Sequence, residues 1–204
     1  MMSLILQGGF LLAPIVLLSL AAVFLIFERS LYYWQRRERE PDLTAAVVAH
    51  LEQTSVGALS VDLGGNRSPE ARVIAAALGS GRPLARADHR RRLDYAVLKE
   101  IAALERHVPY LQSIANIATL LGLLGTVIGM IAAFLNMRAS GSTDLTVLSG
   151  GIAQALITTA AGLTVAIPST LFHHLFANHV QRTVARLNIA VSELTAYFAG
   201  RDGV

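Results

Sequence analysis

Thr126 and Thr159 are hydroxyl-bearing residues in places where a hydroxyl is conspicuous. Thr126 lies in "GLLGTVIGM" (122–130) and Thr159 in "TTAAGLTV" (158–165), charge-free stretches built of glycine, alanine and large aliphatic residues. A threonine hydroxyl donates one hydrogen bond and accepts others, so in an apolar interior it can hold a water or a polar group on an inserted helix, although it does not titrate. Steps of three and four residues put Gln112, Ala115, Thr119, Gly122, Thr126, Gly129, Ala133 and Asn136 on one face of a helix, while Leu120, Leu123, Leu124, Val127, Ile131 and Phe134 fall largely elsewhere. Ala155, Thr159, Gly162, Ala166, Ser169 and His173 repeat the pattern. Such stripes have two readings. Small residues let helix backbones approach in lipid, and threonine can bond its own helix at i−4. Alternatively, several copies of the chain surround a lumen into which the hydroxyls project. Residue types alone leave both open.

The elements that carry these stripes must be transmembrane helices. Of the 204 residues, 53% are hydrophobic and only 15% charged, with a mean hydropathy of +0.52, too apolar for an ordinary soluble domain. Three spans lack Asp, Glu, Lys and Arg: Met1 to Phe27, the stretch between His107 and Arg138, and the stretch between Asp144 and Arg182. At about 1.5 Å rise per residue, roughly 20 residues cross the hydrocarbon, so each is long enough. The first span reads as a retained anchor, because nothing basic precedes it and Glu28, Arg29, Arg36, Arg37 and Arg39 follow it, the reverse of a signal peptide.

Charge sets the orientation. Of the 17 Lys and Arg, only Arg138 sits in the connection between the second and third spans, so the positive-inside rule places the N-terminus outside and the C-terminus in the cytoplasm. A net charge of +3 then follows from topology and does not point to nucleic acid. With no cysteine, thiolate catalysis, disulfides and cysteine metal sites are excluded. No nucleophile–base pair, phosphate loop or metal-ligand spacing argues for an enzyme, and no cofactor is expected. His173, His174 and His179 cluster where the third helix would meet the cytoplasm and read as packing and dipole partners. Tyr32, Tyr33 and Trp34 read as an interfacial aromatic belt, and Pro168 predicts a kink.

The cytoplasmic region is expected to be helical. "SPEARVIAAALGSG" offers Ser68 as N-cap, Pro69 at the first helical position, Glu70 in the first turn and Gly79 as a C-terminal cap. Leu93, Val97, Ile101, Leu104 and Val108 define an apolar face opposite Arg91, Arg92, Lys99 and Arg106, on a helix that should feed straight into the second span. "VDLGGNRSP" (61–69) reads as a loop.

"IANIATLLGLLGTVIGMIAAF" followed by "GIAQALITTAAGLTVAIPS" resembles the two motif helices of the MotA/TolQ/ExbB proton-channel family, and "GGFLLAPIVLLSLAAVFLIFERSLYY" resembles the first helix of its shorter ExbB-like members. The resemblance implies an all-α integral membrane protein with three transmembrane helices and long cytoplasmic helical extensions, assembled as a homopentamer around a central pore in the bacterial inner membrane. It implies residues 1–28 as the first transmembrane helix with a periplasmic N-terminus, 29–107 as a cytoplasmic helical region, 108–137 as the second transmembrane helix and 138–146 as a periplasmic loop. The third transmembrane helix is then 147–178 and the cytoplasmic C-terminal helix 179–204. Pore-lining positions carried over from the motifs and stripes are Thr126, Thr159, Thr119, Gly122, Gly129, Ala155, Gly162 and Ala166. The implied partners are a single-span, ExbD- or TolR-like protein carrying a membrane aspartate and a TonB-like protein. The implied work is the use of the proton motive force to energise outer-membrane transport, or a TolQ-like or gliding-type task. A non-conducting membrane scaffold is the alternative from another class.

Two departures from the family pattern stand out. Gln154 in "IAQAL" occupies the place of a usual glutamate, and an amide cannot exchange a proton near neutral pH, so Gln154 is at most a polar relay. Thr119 in "ATLLGL" stands where many relatives have proline. The apolar cores of the second and third spans contain no ionisable acid or base, so a titrating carboxylate would have to come from the partner helix.

Overall fold

The computed structural model describes residues 10–36, 68–78, 86–140 and 145–201, with side chains at 10–36, 68–76, 90–139 and 148–196. All regular structure among them is helical: α1 (Leu12–Gln35), α2 (Pro69–Leu78), α3 (Arg86–Glu105), α4 (Val108–Ser140) and α5 (Leu145–Arg201). Three stretches, Leu12–Gln35, Arg90–Ala139 and Leu148–Ala196, are long and apolar enough to cross a membrane, with hydropathies of 2.1, 2.2 and 1.6. The chain is therefore an all-helical membrane protein. Gly79, residues 61–67 of the expected loop, and residues 141–144 lie outside the described residues.

The chain divides into two compact units, and the first comprises Met1–Arg29 and His107–Leu175. Its core is made of small and branched side chains from all three spans: Ile15 and Ala22 of α1, Ile114, Ala115 and Ala118 of α4, and Val165 and Ala166 of α5. Large apolar side chains such as Leu17, Phe24, Leu120, Phe134 and Ile167 point outward. This inversion, small inside and large outside, is what lipid solvent permits, because apolar surface gains little by leaving lipid and close backbone packing supplies the contact energy. α5 runs 57 residues without interruption through Pro168, about 85 Å at the helical rise. A ~30 Å hydrocarbon slab takes up well under half of that.

The second unit comprises Ser30–Arg106 and Phe176–Val204. α2 begins as its sequence dictates, with the Ala71 amide donating to Ser68 Oγ at 3.2 Å and Pro69 in the first turn. Leu93 and Val97 of α3 pack with Ile74 of α2 and Leu187 and Leu194 of α5, while Arg91, Arg92 and Lys99 stay exposed. The buried Glu100 carboxylate receives Arg36 at 2.6 Å and Arg72 at 3.2 Å, and the buried Glu70 receives Arg186 at 3.4 Å. Tyr33 is buried rather than set in an exposed belt: its hydroxyl donates to the Leu104 carbonyl at 2.8 Å, satisfying an acceptor in the last turn of α3. Trp34, by contrast, is exposed.

α3 does not run straight into α4. The break falls at His107, whose φ of 68° is in the left-handed region that a non-glycine residue enters at a cost. Its ring is held in place within the first unit. Nδ1 lies 2.8 Å from Glu28 Oε2, so the proton belongs on Nδ1 and is donated to the carboxylate, and Arg29, itself buried, pairs with the other oxygen of Glu28 at 3.0 Å.

Candidate functional site

α4 and α5 run antiparallel and touch along a line of small residues. A side chain on Gly122 would stand 3.3 Å from the Thr159 Cα, one on Gly129 2.8 Å from the Ala155 Cβ, and one on Gly162 2.5 Å from the Ala118 carbonyl oxygen. Gly125 faces Thr158 and Gly151 faces Ala133 with no room for a Cβ. The seam therefore reads Ala118, Gly122, Gly125, Gly129, Ala133 on α4 against Gly162, Thr158, Ala155, Gly151 on α5, steps of four and three that keep one face of each helix in contact. Gly122, Gly162 and Ala155 are buried in it, and Ala166 is buried beside it among the small residues of the core.

The threonines singled out by the sequence lie at the edge of this seam. At about 100° per residue, Thr119 and Thr126 turn to one flank of it on α4, and Thr159 turns to that same flank on α5. Thr159 bridges the helices, its hydroxyl donating to the Gly122 carbonyl at 2.7 Å. Thr126 is half-buried and donates to Leu123 O of its own helix at 2.6 Å; Thr119 is exposed and donates to Ala115 O at 2.9 Å. Each hydroxyl spends its proton on a carbonyl and keeps lone pairs for a donor that approaches from that flank.

α1 occupies the other flank, and Gln154 is there with it. Gln154, Thr158, Gly125, Ile128, Gly129 and Ala132 line an open pocket of about 130 Å3 together with Phe10 and Leu11. Gln154 is thus separated by the seam from Thr126 and Thr159. Thr158, adjacent in sequence to Thr159, is the buried member of the pair, at 2% exposure with its hydroxyl donating to the Gln154 carbonyl at 3.0 Å. Stripes drawn through Thr126 and Thr159 miss Gly125 and Thr158, although the spacing of Gly122, Gly125 and Gly129 on α4 and of Gly151, Ala155, Thr158 and Gly162 on α5 carries their signal. The phase through Thr159 lies one residue off the contact line.

The histidines make local contacts. His173 Nδ1 meets the Val108 carbonyl at 3.1 Å, His174 Nδ1 meets Thr170 O at 2.8 Å, the rings of these two meet edge to face, and His179 packs at a tilt against Tyr33 with ring centres 4.8 Å apart. Among the described residues no three His, Cys, Asp or Glu side chains gather to hold a metal ion.

The sequence model of the MotA/TolQ/ExbB proton channel family matches residues 66–189, which include the whole α4–α5 seam. The chain belongs to this family. It is 32% identical over 182 residues to the putative biopolymer transport protein ExbB-like 3 of Synechocystis sp., a match covering 87% of this chain and 85% of that relative. The Tol-Pal system protein TolQ of Haemophilus influenzae is 38% identical over 84 residues, 41% of this chain and 37% of TolQ. The biopolymer transport protein ExbB of Xanthomonas campestris pv. campestris is 33% identical over 122 residues, 59% of this chain and 48% of ExbB. This chain thus matches less than half the length of either of those two. For a proton-channel family member, the absence of Asp, Glu, Lys and Arg from residues 108–137 and 145–181 is the main chemical fact of the site: its polar groups are hydroxyls and amides, with His173, His174 and His179 towards the end of the second range.

Proposed function

We propose that the chain is the channel subunit of an inner-membrane motor of ExbB or TolQ type, five copies of which enclose a pore that receives the transmembrane helix of an ExbD- or TolR-like partner. The observation that carries this reading is the shared flank of Thr126 and Thr159. Phe10 and Leu11, leading into α1, stand on the opposite flank with Gln154, while the glycine seam fixes the two helices in register so that both hydroxyls stand at one edge. Thr119 extends the same edge, and Gly122, Gly129, Ala155, Gly162 and Ala166 form the wall behind it. With no Asp, Glu, Lys or Arg in residues 108–137 and 145–181, the proton is carried by a carboxylate on the inserted partner helix, and the threonines hydrogen-bond that carboxylate as it gains and loses its proton. Each proton moving through 100 mV makes about 2.3 kcal/mol available for moving partner against ring. In this reading residues 1–28, 108–137 and 147–178 cross the membrane, 29–107 and 179–204 are cytoplasmic, and 138–146 is periplasmic. The driven load is a TonB-like protein in outer-membrane transport.

Two observations support other readings. The TolQ match, at higher identity over a shorter stretch, leaves envelope-integrity work by the same engine an equal reading. The glycine seam by itself accounts for most of the small residues as packing, as a non-conducting scaffold would require. Proton flux in proteoliposomes containing the chain and its co-expressed single-span partner separates them. A flux that depends on the partner and falls in Thr126→Val supports the motor; none with either would leave the scaffold.

A further inference from the structure

The second unit contains a cavity whose chemistry the pore does not use. It has a volume of about 580 Å3 and is lined by Arg36, Arg182 and Arg186 with the Thr183 hydroxyl, Tyr33 and His179, over a floor that includes Leu104 and Pro69; no acidic side chain lines it among the described residues. The three guanidinium groups are not equally engaged. Arg36 is committed to the buried Glu100 at 2.6 Å and lies 4.2 Å from the centre of the Tyr32 ring. Arg186 reaches Glu70 and Thr183 at 3.4 and 3.5 Å, both long contacts. Arg182 is exposed and pairs with no described carboxylate. With Arg72 also beside Glu100, three arginines pair with two buried carboxylates among the described residues, and Arg182 stands beside them as a fourth. The excess positive charge centres on Arg182, with Arg186 one helical turn further along α5.

From this arrangement we infer that the cavity binds a phosphate oxyanion, held chiefly by Arg182 with Arg186 beside it. Planar guanidinium groups match phosphate oxygens bidentately, and the cavity is wide enough for the glycerol end of a headgroup. Position favours an anionic phospholipid as the source. Tyr33 and Arg36 follow the charge-free stretch of α1, which ends at Phe27, and Arg182 is the residue that closes the stretch of α5 without Asp, Glu, Lys or Arg, with His179 one turn before it. That is the depth at which headgroups begin beyond the hydrocarbon. The inference rests on the membrane reading of the chain and is independent of proton conduction.

Native mass spectrometry of the full-length protein, exchanged into detergent with equal amounts of phosphatidylglycerol and phosphatidylcholine, tests it. The wild-type chain should retain phosphatidylglycerol in preference. Arg182→Gln should weaken that retention about fivefold, the factor one basic residue is worth beside an anionic headgroup, whereas Arg138→Gln, exposed in the last turn of α4, should not. Arg182→Lys should recover part of the loss, and circular dichroism of each variant should match the wild type. Competition by millimolar inorganic phosphate that empties the site would assign it to the free anion and still uphold an oxyanion pocket. Equal retention of the two lipids by the wild type, or equal retention of phosphatidylglycerol by the wild type and the Arg182→Gln variant, would overturn the proposal while leaving partner-dependent proton flux untouched.

Discussion

Thr126 and Thr159 differ in what their hydroxyls do at rest, and that difference makes them separable by mutation. Thr159 donates across to Gly122 O, so Thr159→Val removes an interhelical hydrogen bond worth about 0.6 kcal/mol, at most roughly 1.7, in membrane helices. Thr126 donates within its own helix, so Thr126→Val should leave stability nearly unchanged. Both should nevertheless lower partner-dependent transport if they face the carboxylate of an inserted helix, and Thr164→Val should be silent, because Thr164 is exposed and bonds only Ala160 O on the side away from the seam. Transport assayed beside thermal unfolding in detergent decides the matter: full activity in both variants would reduce the hydroxyls to packing elements. His107 supports a second prediction at this scale. A left-handed φ is open to glycine but punishing to a β-branched residue, so His107→Val should lower stability by about 1–2 kcal/mol. His107→Gly should lose the ring's contacts with Glu28, Arg29 and Tyr110 but regain backbone ease. Equal loss in the two would mean that the ring, not the backbone, carries the effect.

At the level of elements, the α4–α5 seam is the part with least tolerance. Gly162→Ala places a methyl carbon against the Ala118 carbonyl and the Gly122 backbone, neither of which can swing aside, so it should destabilise by roughly 1–3 kcal/mol as overpacking does. Gly150→Ala, with nothing within 4 Å of the added carbon, should be neutral or gain up to ~1 kcal/mol from helix propensity. Unfolding in a denaturing detergent series measures both, and equal behaviour would contradict the close approach at Gly162. The same seam shows how far the sequence could be read. Spacing placed Gly122, Gly129, Ala155 and Gly162 on helix faces, because small residues every three or four positions have few other uses in lipid. It could not fix the phase, since Thr158–Thr159 and Gly125–Thr126 are adjacent pairs of small or hydroxylic residues and a rotation of one residue swaps which member is buried. The capped start of α2 was legible from Ser68, Pro69 and Glu70, which act locally. The break at His107 was only half legible: Pro109 in "ALERHVPYL" marks a helix end and a new first turn, but nothing there announces that His107 takes the left-handed conformation, and its ring is held by Glu28, distant in sequence.

For the molecule as a whole, the decisive question is what covers the flank that Thr119, Thr126 and Thr159 share. A single chain presents Leu120, Leu123, Val127 and Met130 outward along with them, an apolar surface that lipid solvates well, so hydrophobicity alone does not demand a partner. The hydroxyls are different, because acceptor lone pairs facing hydrocarbon gain nothing there, whereas facing water or a partner helix they are satisfied. In a closed ring of identical copies each contact is head-to-tail, and a rotation that closes turns the same face of every subunit inward at once, which in the proposed pore is this flank. The expected outcome is a stable pentamer in mild detergent by native mass spectrometry, with its N-terminus and its α4–α5 connection outside. Cysteines introduced at Ser3 and Ser142 should react with an impermeant thiol reagent from the periplasmic side, while one at Ser60 should not. The two measurements constrain each other. Correct sidedness with a monomer or dimer in every detergent would keep the three spans but remove the lumen, leaving the glycine seam as simple packing. A pentamer with the reverse labelling would keep the ring but turn it over, so that the basic segments, and the arginine-lined cavity with them, would no longer lie against the cytoplasmic leaflet.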